Sequence, residues 1–236
     1  MSSVPSKASY ASFPSEKLTI SAGIAIFHLA AERVVVCYHT RDHYWFLPKG
    51  RKNANEDLGR AAEREGFEES GYRNRLLPIP MKHRQPDPEA GHQEFVTEAI
   101  WLQLMPLSTS TQYILHWYAA ETLPPAVEKE LDAKLEDGEG NTAVRAYEPP
   151  EPFPKGLTIQ QRIDMDIAEG DGVKTVYMPV WHPGTGVDEE EMCYKSYMLS
   201  IEDAIRKLKG TIMADVVHRA WDGIQLRKRM ESKDGS

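Results

Sequence analysis

Cysteine is scarce, with two among 236 residues. Cys37 and Cys193 lie far apart in apolar stretches, and no Cys/His cluster has the spacing of a zinc site. A disulfide framework is therefore not the organising device, and two reduced, buried thiols are expected. Apolar runs are short. None reaches the roughly 18 residues that a membrane span needs. The longest, Leu18–Ala31, follows Glu16, contains His28 and continues into Glu32–His39 without a cleavage site, so it reads as strands and not as a secretion signal. Basic charge is also lacking. Lys and Arg number 28 against 36 Asp and Glu, and the net charge of −8 excludes a generally basic nucleic-acid wrapper while leaving room for a local basic site. There is no P-loop, no nucleophile elbow and no internal repeat.

What remains is an ordinary globular composition, 41% hydrophobic and 27% charged, in a chain long enough for one sizeable core. Residues 1–17 are rich in Ser, Pro and Ala and read as a disordered lead-in. Residues 18–231 read as a single domain, and 232–236 as a tail. Leu18–Leu29 and Arg33–Tyr38 are rich in Ile, Val and Ala, which predicts two strands joined by a turn at Ala30–Glu32. Tyr44–Leu47 is a third, stopped by Pro48 and Gly50. Asn55–Ser70 has helical spacing, with Asn53 or Asn55 as its cap and Gly71 as its stop. Further strands are expected within Phe95–Leu104, Gln112–Ala120, Lys174–Trp181 and Glu191–Leu199. Ser200-x-x-Asp203 opens a helix, Gly210 interrupts it, and an apolar stripe from Ile212 to Ile224 carries a second helix towards basic residues at 227–229.

Residues 121–172 stand apart. They hold 13 Asp and Glu against 5 Lys and Arg, so the rest of the chain is electrically balanced. The segment reads as a Pro-containing acidic insertion, solvated and partly mobile, with Val127, Leu131 and Leu135 forming one face of a short helix.

The chemistry concentrates between Gly50 and Tyr72. At about 100° per residue, Glu65, Glu68 and Glu69 crowd one helix face, and that face also carries Leu58, Ala61 and Ala62. Like charges at this spacing repel. A solvated face would not carry the aliphatic residues of the helix, so the three carboxylates are expected to hold a cation. Hard oxygen ligands without thiolates suit Mg²⁺ or Mn²⁺. Just before the helix, Lys49, Arg51 and Lys52 surround Gly50, and a helix start favours anions. Cations on one side and a carboxylate-held metal on the other make a clamp for a polyphosphate.

This segment resembles the Nudix box, G-x5-E-x7-R-E-U-x-E-E-x-G-U, where U is a bulky aliphatic. Gly50, Glu56, Arg64, Glu65, Glu68, Glu69 and Gly71 match. At about 7% usage per residue, chance agreement at seven positions is on the order of one in 10⁸. Gly66 and Tyr72 depart from the pattern at its aliphatic positions. The resemblance implies an α/β Nudix fold, a mixed β-sheet sandwiched between α-helices, and Mg²⁺- or Mn²⁺-dependent cleavage of a phosphoanhydride. It implies metal-binding and catalytic roles for Glu65, Glu68 and Glu69, a backbone contribution to the metal near Gly50, and structural roles for Glu56, Arg64 and Gly71. In some relatives the base comes from a later loop, where Glu189, Glu190 and Glu191 are candidates, although an exposed acidic turn is the plainer reading of those three.

Trp45–Gly50 resembles the corresponding run of the eukaryotic diphosphoinositol polyphosphate and diadenosine polyphosphate hydrolases, and also that of decapping enzymes. Lys49, Arg51, Lys52 and Arg41, with Lys82 and Arg84, are expected to bind substrate. Tyr44 and Trp45 are candidate base-stacking residues. Pro88 would fit a position in ADP-ribose hydrolases. The favoured function is hydrolysis of a diphosphoinositol or dinucleoside polyphosphate. The alternatives are an mRNA-decapping or general nucleotide pyrophosphatase, and a non-catalytic Nudix module that senses nucleotide or binds protein. The partner expected is a small phosphorylated molecule, with no DNA and no membrane; the oligomeric state is left open. A cytoplasmic location is expected, with the nucleus also open.

Overall fold

The computed structural model describes residues 10–86, 94–136, 147–170 and 173–234. Pro88, most of the lead-in, the middle of the acidic segment and the last two residues lie outside them.

Strand β1 (Leu18–His28) is the spine. It alternates sides: Ala22, Ile24 and Ile26 pack under one helix layer, and Ala25 and Phe27 under the other. β2 (Arg33–His39) returns from β1 through a tight turn, and β3 (Tyr44–Phe46) returns on β2. The next strand, β4 (Lys49–Arg51), was not expected after Pro48. It pairs antiparallel with Ser21–Gly23 of β1 and so ties the glycine corner to the sheet centre.

Helix α1 (Leu58–Ser70) follows. Its cap is Asp57, whose side chain accepts from the N–H groups of Gly59 and Arg60 at 2.8 and 3.3 Å. Neither Asn53 nor Asn55 caps it. Asn55 has φ of 63°, a left-handed conformation that no helix start adopts, so the helix begins three residues later than its spacing suggests. Gly71, with φ of 74°, ends it by donating to the Phe67 carbonyl at 2.7 Å. Gly66, the odd residue in the motif, lies where the helix crosses the sheet. A Cβ there would stand 2.7 Å from Asn74 Nδ2 and 3.0 Å from Ile24.

β5 (Asn74–Leu76), β6 (Trp101–Pro106) and β7 (Gln112–Thr122) complete the centre. β7 runs parallel to β1 along its length, from Leu18 opposite Gln112 to Phe27 opposite Glu121, and β5 and β6 both pair antiparallel on its other edge. After α2 (Pro125–Glu136), α3 (Ile159–Asp164) and a separate hairpin of β8 (Ile167–Gly170) and β9 (Val173–Val176), strand β10 (Tyr194–Ser200) pairs with β2 at the far edge. α4 (Ile201–Lys207) and α5 (Ile212–Asp234) close the chain. The result is an eight-stranded mixed sheet with α1 on one face and α4 and α5 on the other, as expected. The strand expected within Lys174–Trp181 is the short β9, and it belongs to the separate hairpin.

The acidic segment differs from its expected character. Glu121, Glu128, Arg162 and Asp166 are buried, not solvated. Arg162 lies 2.7 Å from Glu121 and 2.9 Å from Asp166, and Arg75 donates to Glu121 at 2.7 Å. Arg73 pairs with Glu128 and Asp132, both at 2.9 Å. Arg73 and Arg75 come from ahead of the segment and Arg162 from within it, so a count along residues 121–172 alone reads as surplus charge that the fold partly pairs.

Candidate active site

Three pieces meet around one cavity: β4, the acid-bearing face of α1, and the loop before β10. They enclose a cavity of about 620 Å³ lined by Lys49, Gly50, Arg51 and Lys52 on one side and by Glu65, Glu68, Glu69 and Glu191 on another. Glu65 is 7% and Glu69 9% exposed. One oxygen of each of Glu65, Glu69 and Glu191 lies within 4.8 Å of the others. Burial raises all three carboxyls, Glu65 to about 7 and Glu69 well above the usual carboxylate range. Carboxylates held this close and this dry are short of positive charge. A hard divalent cation fits that donor set.

Arg64 organises the rest. Its guanidinium donates to both oxygens of Glu56 at 2.8 and 2.9 Å, to Glu65 at 2.8 Å, to Glu68 at 2.6 Å and to the Arg51 carbonyl at 3.0 Å. Glu56 in turn accepts from the Asn53 N–H at 2.7 Å. Arg64 thus fastens the loop ahead of α1 to the helix and draws Glu68 away from the tight carboxylate group, although Glu68 still lines the cavity. Arg64→Lys keeps the charge and loses the fork. Calorimetric titration with Mg²⁺ is expected to show about 10–100-fold weaker binding, the size of effect seen when a group that orients metal ligands is lost.

Gly50 contributes through the side chain it lacks. A Cβ on it would collide with the Glu65 carboxylate. The Lys49 N–H donates to Glu69 at 2.7 Å and the Arg51 carbonyl accepts from Arg64, so the backbone polar groups of residues 49 and 51 face the helix. Strand alternation turns those of Gly50 towards β1. The backbone oxygen on the carboxylate side is therefore that of Lys49, next to Gly50. Gly50→Ala is expected to cost about 1–3 kcal/mol in thermal unfolding, as overpacking does, and to lower activity because Glu65 must move.

Other expectations sort cleanly. Arg41 does not line the cavity; it is 60% exposed and paired with Asp42. Lys82 lines a different cavity against α5, and Arg84 lines neither. Tyr44 stacks on His39, and Trp45 packs between Tyr38 and Tyr197, so neither reaches the site. Glu191, expected in an exposed acidic turn, is half-buried and joins the carboxylate group. Its neighbours Glu189 and Glu190 do not line the cavity. The loop that delivers Glu191 is fastened to the end of α1: Trp181 Nε1 donates to the Ser70 carbonyl at 3.2 Å, the His182 N–H to Gly71 at 2.8 Å and Thr185 Oγ1 to Glu68 at 2.9 Å. Leu107, Tyr113, Val187 and Tyr194 were not anticipated; they add apolar and aromatic surface to the same cavity.

A mixed sheet between helices, with a buried carboxylate cluster and three basic residues at a strand-to-helix corner, is an arrangement that could hold a divalent cation beside a phosphoanhydride. The NUDIX domain model matches residues 17–162. The chain belongs to the Nudix family and is a Nudix hydrolase. Among solved structures, it is similar to an Ap4A hydrolase of C. elegans, with 14% identity, coverage of 86% of this chain and 95% of that one, and a TM-score of 0.41. It is similar also to a NUDIX-family hydrolase from Clostridium perfringens, with 13% identity, coverage of 88% and 97%, and a TM-score of 0.40. Among curated proteins no sequence matches significantly. No helix among the described residues is long and apolar enough to cross a membrane.

Proposed function

We propose that this chain hydrolyses a phosphoanhydride bond of a dinucleoside polyphosphate, with Mg²⁺ or Mn²⁺ as its metal. The observation that carries the reading is the cavity itself. Lys49, Arg51 and Lys52 line it together with the carboxylates of Glu65, Glu69 and Glu191, and Leu107, Tyr113, Val187 and Tyr194 add an apolar and aromatic lining. A polyphosphate needs the first two features, and a nucleobase uses the third.

Glu65 and Glu69 would hold the cation, with Glu68 beside them and the Lys49 backbone oxygen on the same side. When bound, the cation supplies charge neutralisation and polarisation at phosphorus. Lys49, Arg51 and Lys52 hold the phosphate chain by charge-assisted hydrogen bonds. Arg64 is saturated by carboxylates and acts by positioning Glu65 and Glu68. Glu191 reaches the cavity from a loop, and its burial raises its affinity for a proton. It accepts the proton of the attacking water, which enters at phosphorus as the bridging oxygen leaves with the other phosphate.

The diphosphoinositol reading calls for many cations around the substrate. With Arg41, Lys82 and Arg84 elsewhere, the described cavity offers Lys49, Arg51 and Lys52 against Glu65, Glu68, Glu69, Asp188 and Glu191. A decapping enzyme calls for a basic RNA-binding tail, and the sequence offers none beyond residues 227–229. There Arg227 is 4% exposed, donates to the carbonyls of Pro78 and Leu157 at 2.7 Å and packs over Phe95 and Phe153. It holds α5 in place and is not available to RNA. The test is one Mg²⁺ assay across dinucleoside polyphosphates, diphosphoinositol polyphosphates, ADP-ribose and capped RNA. The highest kcat/KM is expected on a dinucleoside polyphosphate. A clear preference for an inositol pyrophosphate would overturn the substrate, and binding without turnover of any of them would restore the sensor reading.

A further inference from the structure

The sheet has an edge that nothing described covers. β6 pairs with β7 on one side, and its other side has no strand partner among the described residues. Such an edge presents a row of open N–H and C=O groups and is normally blunted by charge, by proline or by a bulge. Pro106 ends the strand, but Trp101–Met105 carries neither charge nor proline, and residues 99–115 contain no Asp, Glu, Lys, Arg or His in a chain that is 27% charged. Apolar side chains stand out on this strand and its turn: Leu102 is 55%, Leu104 52%, Met105 40% and Leu107 61% exposed.

We propose that β6 is the interface through which two copies of this chain pair, antiparallel about a two-fold axis at Gln103, so that the two sheets become continuous. The strand is self-complementary about that residue. Pairing Gln103 with its own copy sets Leu102 opposite Leu104 and Trp101 opposite Met105. Leu102 and Leu104 lie on the α1 face, opposite His116 and Ile114; Trp101 and Met105 lie on the other face, opposite Trp117 and Tyr113. Each face therefore meets an apolar partner, and the two Gln103 amides meet on the axis. Charge selects the same occupant. A copy of this chain carries the same −8 and is repelled at its acidic faces, so self-association is least opposed where charge is absent. An acidic or basic partner would find no counter-charge on this strand. The pairing also steadies the β6–β7 hairpin, which carries Leu107 and Tyr113 to the wall of the catalytic cavity.

Sedimentation of the full chain over a dilution series is expected to show a species of twice 26.7 kDa at high concentration. Leu104→Lys places like charges beside the axis and is expected to weaken the dimer by at least about a hundredfold, as like-charge juxtaposition does at an interface centre. Leu104 is exposed in the single chain, so the circular dichroism and melting of the variant should match the dilute wild type. Gln103→Cys should crosslink to its own copy on mild oxidation. A chain that stays monomeric throughout the series, or a dimer that survives Leu104→Lys and fails to crosslink through residue 103, would overturn the proposal.

Discussion

Replacing Arg162 by methionine is expected to destabilise the protein by about 3–5 kcal/mol, the cost of leaving buried carboxylates without their partner. At this chain length that is a fall of roughly 6–20 °C in melting temperature. Arg162 is fully buried, lies against Glu121 and Asp166, and donates to the Thr122 carbonyl at 2.8 Å. Methionine fills much of the same volume, so the effect reads the charge and the hydrogen bond more than a cavity. Thermal and urea unfolding check it. A change under about 1 kcal/mol, the scale of an exposed ion pair, would mean that the guanidinium is solvated.

The same variant carries a sign in pH. Burial raises Asp166 to about 6, and Arg162 opposes that rise. A carboxyl whose folded value lies above its unfolded one takes up a proton on folding, so its contribution to stability grows as pH falls through 6. Without Arg162 the folded value moves higher, and a neutral Asp166 needs no counter-ion. The deficit of Arg162→Met should therefore shrink between pH 7 and pH 5. His28, 3.5 Å from Asp166, is held down to about 4 by burial and stays neutral across that window. Glu121, paired with Arg75 as well, retains one partner. Unfolding curves at the two pH values, wild type against variant, decide it; a deficit that widens on acidification would assign the cost to another group.

Arg162 also shows where a sequence reading stops. Local signals were legible: the Ile, Val and Ala content of β1, the Gly71 stop and the acids of α1 all follow from short stretches of sequence. The β4 strand was not, because three residues between Pro48 and a polar loop carry no period. The charges of residues 121–172 looked solvated because their partners, Arg73 and Arg75 among them, are distant in sequence. Glu191, a candidate base that reads more plainly as part of an exposed turn, is obscured for the same reason. No pattern near it indicates a site; its position depends on Trp181, His182 and Thr185 bonding to the end of α1. Substrate contacts were the least legible. Arg41 was counted by proximity along the chain, whereas Leu107 and Tyr113 arrive from a hairpin whose register only the sheet defines.

Glu69→Gln and Glu191→Gln separate the two jobs assigned to the carboxylate group. Glu69 is buried beside Glu65 and Glu191 and accepts from the Lys49 N–H, and a bound divalent cation would balance the charges gathered there. Its amide variant is expected to lose at least about 100-fold in Mg²⁺ affinity, more than the loss of an orienting neighbour costs, and kcat/KM falls with it. Removing a buried negative charge that burial disfavours should at the same time raise the melting temperature of the metal-free protein. Glu191→Gln should behave otherwise. If Glu191 takes the proton, kcat falls by about 10²–10⁴-fold, while calorimetric Mg²⁺ binding stays close to wild type and substrate still binds. The two variants differ most in the ratio of metal affinity to kcat, so equal losses in both quantities for both variants would make Glu191 a ligand and return the proton to Glu65, whose carboxyl at about 7 is poised to accept it.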